Sequence, residues 1–132
     1  MPRKVKPRWD AVVVPRTDED LRSLLATYVA DDDDAFEAVS AMSAHDPEQC
    51  WQFLDIARQA NLTDKQLAFV SAGPFEEMMK RYGDEFIGRV EASARDDERM
   101  RFLIATVWRA GMSDALWDRI EALRARYGIE RL

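Results

Sequence analysis

His45 and Cys50 are the only histidine and the only cysteine of this chain, and they stand five residues apart. A Cys–His nucleophile pair needs both side chains within hydrogen-bond reach and a third group to orient the imidazole. The residues between them point elsewhere. Asp46 reads as an N-cap, Pro47 as the first helical residue and Glu48 as a first-turn acid. That leaves His45 outside the helix and puts Cys50 on its apolar stripe with Phe53, Leu54 and Ala57. The pattern predicts a buried structural cysteine and a surface histidine.

The acidic runs Asp31–Asp34 and Asp96–Glu98 are the next candidates for chemistry. Calcium loops alternate oxygen ligands, turn on a glycine and end on a distal glutamate. Neither run does so, and both are expected to be solvated helix starts. The stretch "SAGPFEE" brings Gly73 and Pro74 together. A phosphate cradle needs several glycines and usually a lysine before a helix, whereas Glu76 and Glu77 would repel an anion. Among 25 acids nothing singles out a catalytic pair. No catalytic residue, metal ligand or cofactor is expected.

Trp51, Trp108 and Trp117 are the remaining side chains of interest. They fill a core or line a groove for a partner, since Trp and Arg are favoured interface anchors. Trp51 and Trp108 fall at the edges of their stripes, where a groove lip would lie. Arg101, Arg109 and Glu76 could rim it, so the candidate partner-binding set is Trp51, Glu76, Arg101, Trp108 and Arg109. Met78, Met79, Met100 and Met112 would make such a surface adaptable or fill the core.

The elements that position these residues are helical throughout. Pro2, Pro7 and Pro15 discourage helix in residues 1–16, which form an extended basic arm before an all-helical domain at 17–132. Trp9 and the neighbouring valines are expected to pin the arm to the body. Thr17 or Asp18 caps a helix with Leu21, Leu24, Leu25, Tyr28 and Val29 on one face. A second helix carries Phe36, Val39 and Met42, the third begins at Asp46, and a fourth restarts at Thr63. Gly73 is expected to close that helix in the left-handed conformation, so that valine there would be strained, and Pro74 to open the next. Gly83 would end that two-turn helix and Asp84 cap another. Gly111 closes a later helix and Ser113 starts the last. Residues 46–70 align without gaps to 96–120, pairing Asp46 with Asp96, Phe53 with Leu103, Leu67 with Trp117 and Val70 with Ile120. Long helix, short turn and shorter helix are used twice, the logic of stacked helical hairpins.

Length and composition agree with this. The 132 residues are 47% hydrophobic and 33% charged, enough for one domain with a core. Net charge is -6, split between an arm at +4 and a body at -10. An acidic body argues against wrapping nucleic acid and leaves the arm as the sole candidate for such contact. One cysteine excludes an internal disulfide and argues against a cysteine-based zinc site. There is no signal peptide and no apolar run long enough for a membrane span. A cytoplasmic protein is expected.

The ordered motifs Trp51, Ala72-Gly73-Pro74-Phe75-Glu76, Gly83, Ile87, Arg101, Trp108, Met112 and Trp117 resemble those of the bacterial DUF6869 family, a domain of unknown function, over about residues 46–120. Phe75 stands where the family is expected to have leucine. The resemblance implies an all-helical domain and carries no catalytic residue with it. The expectation is a single all-α domain of about seven or eight short helices, HEAT-like or an orthogonal bundle. It would act as a non-enzymatic interaction module, immunity-type or regulatory, with an acidic helical surface for a protein partner. An acidic nucleic-acid mimic and an enzyme with a helical active site are the alternatives. Neither charge nor pattern sets an oligomeric state.

Overall fold

The computed structural model describes residues 15–129. Most of the basic arm and its Trp9 lie outside the described residues. Pro15 and Arg16 are within them, and Arg16 donates to the Gln49 side chain at 2.7 Å.

The described residues form an all-α domain of seven α-helices and one π-helical stretch. In chain order these are α1 (Asp18–Val29), α2 (Asp33–His45), α3 (Pro47–Gln59), α4 (Asp64–Val70), the π stretch (Ser71–Phe75), α5 (Glu76–Ala94), α6 (Glu98–Thr106) and α7 (Asp114–Arg126). Local chemistry sets most of the starts. Thr17 and Thr63 form reciprocal capping boxes with Asp20 and Gln66. Asp32, Asp46, Asp97 and Ser113 each accept a first-turn amide, and Pro47 takes the first helical position. The acidic runs are therefore helix starts, with Asp97 rather than Asp96 as the cap of α6.

Each helix buries one stripe: Leu21, Leu25 and Tyr28 on α1, Cys50, Phe53, Leu54 and Ala57 on α3, Leu116, Ile120 and Leu123 on α7. The four methionines at 78, 79, 100 and 112 all lie in this core. The first three helices pack against one another, and the π stretch lies at the centre, touching α2, α3, α4, α5 and α6. Arg58 ties α3 to the α5–α6 turn through Ser93 and Asp97, and also pairs with Asp55 at 2.9 Å. Among the described residues no helix is long and apolar enough to cross a membrane.

The glycines do not do what their positions suggested. Gly73 and Pro74 neither close nor open a helix. The backbone runs on from α4 through the π stretch into α5, and Gly73 has no positive φ. Pro74 cannot donate to the preceding turn, and a wider turn gives its ring room. Glu76 N–H reaches back to the Ser71 carbonyl across that turn. Gly73 is required by packing instead: a Cβ there would overlap the Tyr28 hydroxyl. Gly83 likewise sits inside α5, and Asp84 caps nothing. A Cβ at 83 would overlap Leu116 of α7. The chain bends beside it at Tyr82 (φ -129°, ψ 15°), whose hydroxyl donates to the Ala44 carbonyl. Gly111 does not close α6 either. That helix ends at Thr106, and the positive φ in the turn belongs to Ala110.

Candidate functional site

A cleft of about 550 Å³ opens between α2 and the π stretch. Small residues make it: Ala41 and Ala44 on one wall, Ala72 and Gly73 on the other. Phe36, Glu37, His45, Glu77 and Arg81 carry its larger side chains. Phe36 is 53% exposed, although the apolar spacing of α2 assigned it to the core. Ala35 takes the inward position instead, in step with Val39 and Met42.

Tyr28 also lines this cleft and is only 2% exposed. Its ring meets Phe53 edge-on at 6.1 Å and stacks on Phe69 at 4.8 Å. Its hydroxyl lies against Gly73 and makes no hydrogen bond among the described residues. Burial, with a smaller contribution from Cys50, pushes its pKa up to about 12, so the hydroxyl keeps its proton. Burial raises the Glu77 carboxyl, but hydrogen bonds from Arg81 at 2.6 Å and Lys80 at 3.0 Å outweigh that and leave it below the usual carboxylate range. Behind the wall, burial pushes the Cys50 thiol far up, and its sulfur rests 3.8 Å from the Pro74 carbonyl. Cys50 is thus a buried thiol, and His45 is exposed at the end of α2.

On the other side of the α1–α2 turn, a second cleft of about 760 Å³ is lined by Val29, Asp31, Thr63, Lys65 and Phe69. Phe69 is 38% exposed. Asp31–Asp34 stand between the two clefts in sequence and are all exposed. None of the four makes an ion pair among the described residues. Charge is uneven along the body. Residues 17–63 hold eleven acids against Arg22 and Arg58, a net of -9. Residues 64–132 hold thirteen acids against twelve Lys and Arg, a net of -1.

The five residues expected to bind a partner fall in four separate places, and none lines the α2 cleft. Trp51 is half-buried against Phe86, with the Arg58 and Arg89 guanidiniums within 6 Å of its ring at 5.6 and 5.9 Å. Glu76 is half-buried at the first position of α5. Arg101 donates to the carbonyls of Ala94 and Arg95 and lies over Tyr127 at 4.3 Å. Trp108 and Arg109 are adjacent in the α6–α7 turn. Trp108 is 61% exposed, and Arg109 pairs with Asp114. Trp117 is half-buried under the Arg124 guanidinium. Sequence reasoning missed Phe36 and Phe69 as surface features and Tyr28 as a buried residue lining the α2 cleft. The signal for Phe36 was the alternative stripe led by Ala35.

Fold and surface together define a small all-α domain with one strongly acidic half. The model of DUF6869, a family of unknown function, matches residues 29–128, and the chain belongs to this family. The match takes in all of α2 and α7 and so reaches beyond the motifs at 46–120. No curated protein and no solved structure matches.

Proposed function

We propose that the domain is a protein-interaction module, immunity-type or regulatory, which receives a basic segment of a partner protein on α1, α2 and α4. One observation carries this reading. Asp31, Asp33 and Asp34 are exposed and make no ion pair among the described residues, in a half of net charge -9, beside the exposed rings of Phe36 and Phe69. Complementary charge steers and orients a partner, while desolvated aromatic side chains supply most of the affinity. Acids that hold no ion pair among the described residues are available to a basic partner.

The test is capture from host lysate by the tagged domain at low and moderate salt. It is run beside a Phe36→Ser/Phe69→Ser variant and an Asp31→Asn/Asp33→Asn/Asp34→Asn variant. The expected result is one protein with a basic surface, held at moderate salt by the wild type and lost from both variants. Capture indifferent to both variants would overturn the reading. Capture lost with salt and with the aspartates alone would favour the nucleic-acid mimic. No capture, with a metabolite raising thermal stability, would favour an enzyme.

A further inference from the structure

The Tyr28 hydroxyl makes no hydrogen bond among the described residues and opens onto the α2 cleft, which also carries the exposed Phe36 ring. A hydroxyl that faces a cleft without a protein partner is available to a ligand, and the only fully buried unpaired side-chain atom among the described residues is Arg58 Nε, elsewhere in the fold. Gly73 leaves room for the hydroxyl itself, because a Cβ there would overlap it. Val39 and Pro74 give the cleft apolar walls, and Glu37, Glu77 and Arg81 are its ionic groups besides His45. Arg81 and Lys80 are both engaged with Glu77.

We infer that this cleft is a receptor for one arginine side chain of the basic partner segment. The aliphatic stem would lie between Val39 and Pro74, and the Phe36 ring would cover it. The guanidinium would donate to the Tyr28 hydroxyl oxygen and to the carboxylates of Glu37 and Glu77. Arginine suits the site because its planar head spreads several donors over a fixed fork and stacks on aromatic rings. The volume lies in the usual range for sites that take a small molecule or a few side chains. This inference rests on the proposed interaction function and adds to it where the anchor sits and what it is.

The test titrates the full chain with three probes followed by NMR: Nα-acetyl-arginine amide, Nα-acetyl-citrulline amide and Nα-acetyl-norleucine amide. The expected result is saturable shifts at the Ser40 and Gly73 amides with the arginine probe. Citrulline, which keeps the shape without the charge, should bind about tenfold more weakly, as expected for losing a charge-assisted hydrogen bond. Norleucine should not shift these amides. Tyr28→Phe should weaken the arginine probe about fivefold, the loss expected for one hydrogen bond. It should leave the thermal midpoint unchanged or raised, because the removed hydroxyl makes no hydrogen bond among the described residues. Equal binding of norleucine and arginine would overturn the proposal, as would the absence of shifts at these amides. A lowered midpoint in Tyr28→Phe would overturn it too, by making the hydroxyl structural. Lysate capture that depends on Asp31, Asp33 and Asp34 while the probes leave the cleft unmoved would sink this inference and leave the interaction function standing.

Discussion

Residues 17–63 and 64–129 are both helical and share one core, but they use charge in opposite ways. In the second half arginines close helices. Arg99 donates to the Ala60 and Leu62 carbonyls beyond α3, Arg101 to Ala94 and Arg95 at the end of α5, and Arg124 to Ile104 and Val107 at the end of α6. The last carbonyls of a helix lack intrahelical partners, and a guanidinium from a later segment supplies them. In the first half α1 closes on its own backbone. Asp31 takes the left-handed conformation (φ 67°), its amide returns to the Tyr28 carbonyl and that of Asp32 to Thr27. Side-chain charge fastens the C-terminal half, whereas in the N-terminal half Asp31, Asp33 and Asp34 make no ion pair among the described residues. The contrast separates the charges that hold the fold from those open to a partner.

The largest effect should follow from removing a fastening. Arg124 is buried, bonds two carbonyls and Glu121, and lies over Trp117 at 4.9 Å. Arg124→Met keeps much of the volume but strands the Ile104 and Val107 carbonyls. A loss of about 2–4 kcal/mol is expected in urea unfolding, from two charge-assisted bonds to buried acceptors. The triple change Asp31→Asn/Asp33→Asn/Asp34→Asn should stay within about 0.5 kcal/mol of wild type, as surface substitutions generally do. Equal losses in the two variants would break the comparison.

A somewhat smaller effect tests the joint between the halves. Gly73→Ala should cost about 1–3 kcal/mol, because its methyl must displace the buried Tyr28 hydroxyl. In a Tyr28→Phe background the nearest atom is the ring carbon at 3.5 Å, an ordinary contact. The penalty should largely vanish there, giving a coupling of about 1–2 kcal/mol in the double-mutant cycle. An undiminished penalty would mean that the π stretch needs glycine for its backbone and not for this space.

The capping chemistry was legible because it is local. Thr17, Asp46, Pro47, Thr63 and Ser113 each act within three or four residues of themselves. The glycines were not, because their reasons come from far along the chain: Tyr28 for Gly73 and Leu116 for Gly83. Left-handed backbone instead fell to Asp31 and Ala110, besides Gly128 beyond α7, and aspartate and alanine do not announce that role. Phe36 and Ala35 offered two ways of rotating α2, and only its contacts with the rest of the domain choose between them. The candidate site was read from residue type. That reading found Trp and Arg, but it could not see that Arg101 meets the end of α5 or that the Tyr28 hydroxyl of an otherwise ordinary core residue opens onto the α2 cleft.

Asp31 allows a finer probe of the first half. Its left-handed backbone is strained for a residue with a Cβ, and only the Schellman closure around it holds it there. Asp31→Gly should raise stability by about 0.5–1 kcal/mol, the relief of that strain less the added freedom of the unfolded chain. The same change removes one acid from the face offered to the partner, so stability should rise while affinity for a basic partner falls. Both moving in the same direction would contradict the division of labour between the halves.

The smallest effect concerns pH. Burial raises the Glu77 carboxyl, but its hydrogen bonds to Arg81 and Lys80 carry it below its ordinary value of 4.5 in the folded chain. The unfolded chain therefore takes up the proton first as pH falls. Stability from this group is fully present above the unfolded value and is lost as pH falls through the lower folded one. Glu77→Gln should thus flatten the acid side of the thermal-midpoint profile, below about pH 5, while costing little near neutrality because the pair is partly exposed. The residue also lines the α2 cleft, so the variant should weaken the arginine probe at pH 7, where its stability is almost unchanged. A profile that keeps its full acid slope would assign that slope to other carboxylates, Glu48 first, whose hydrogen bond from Arg89 lowers it as well.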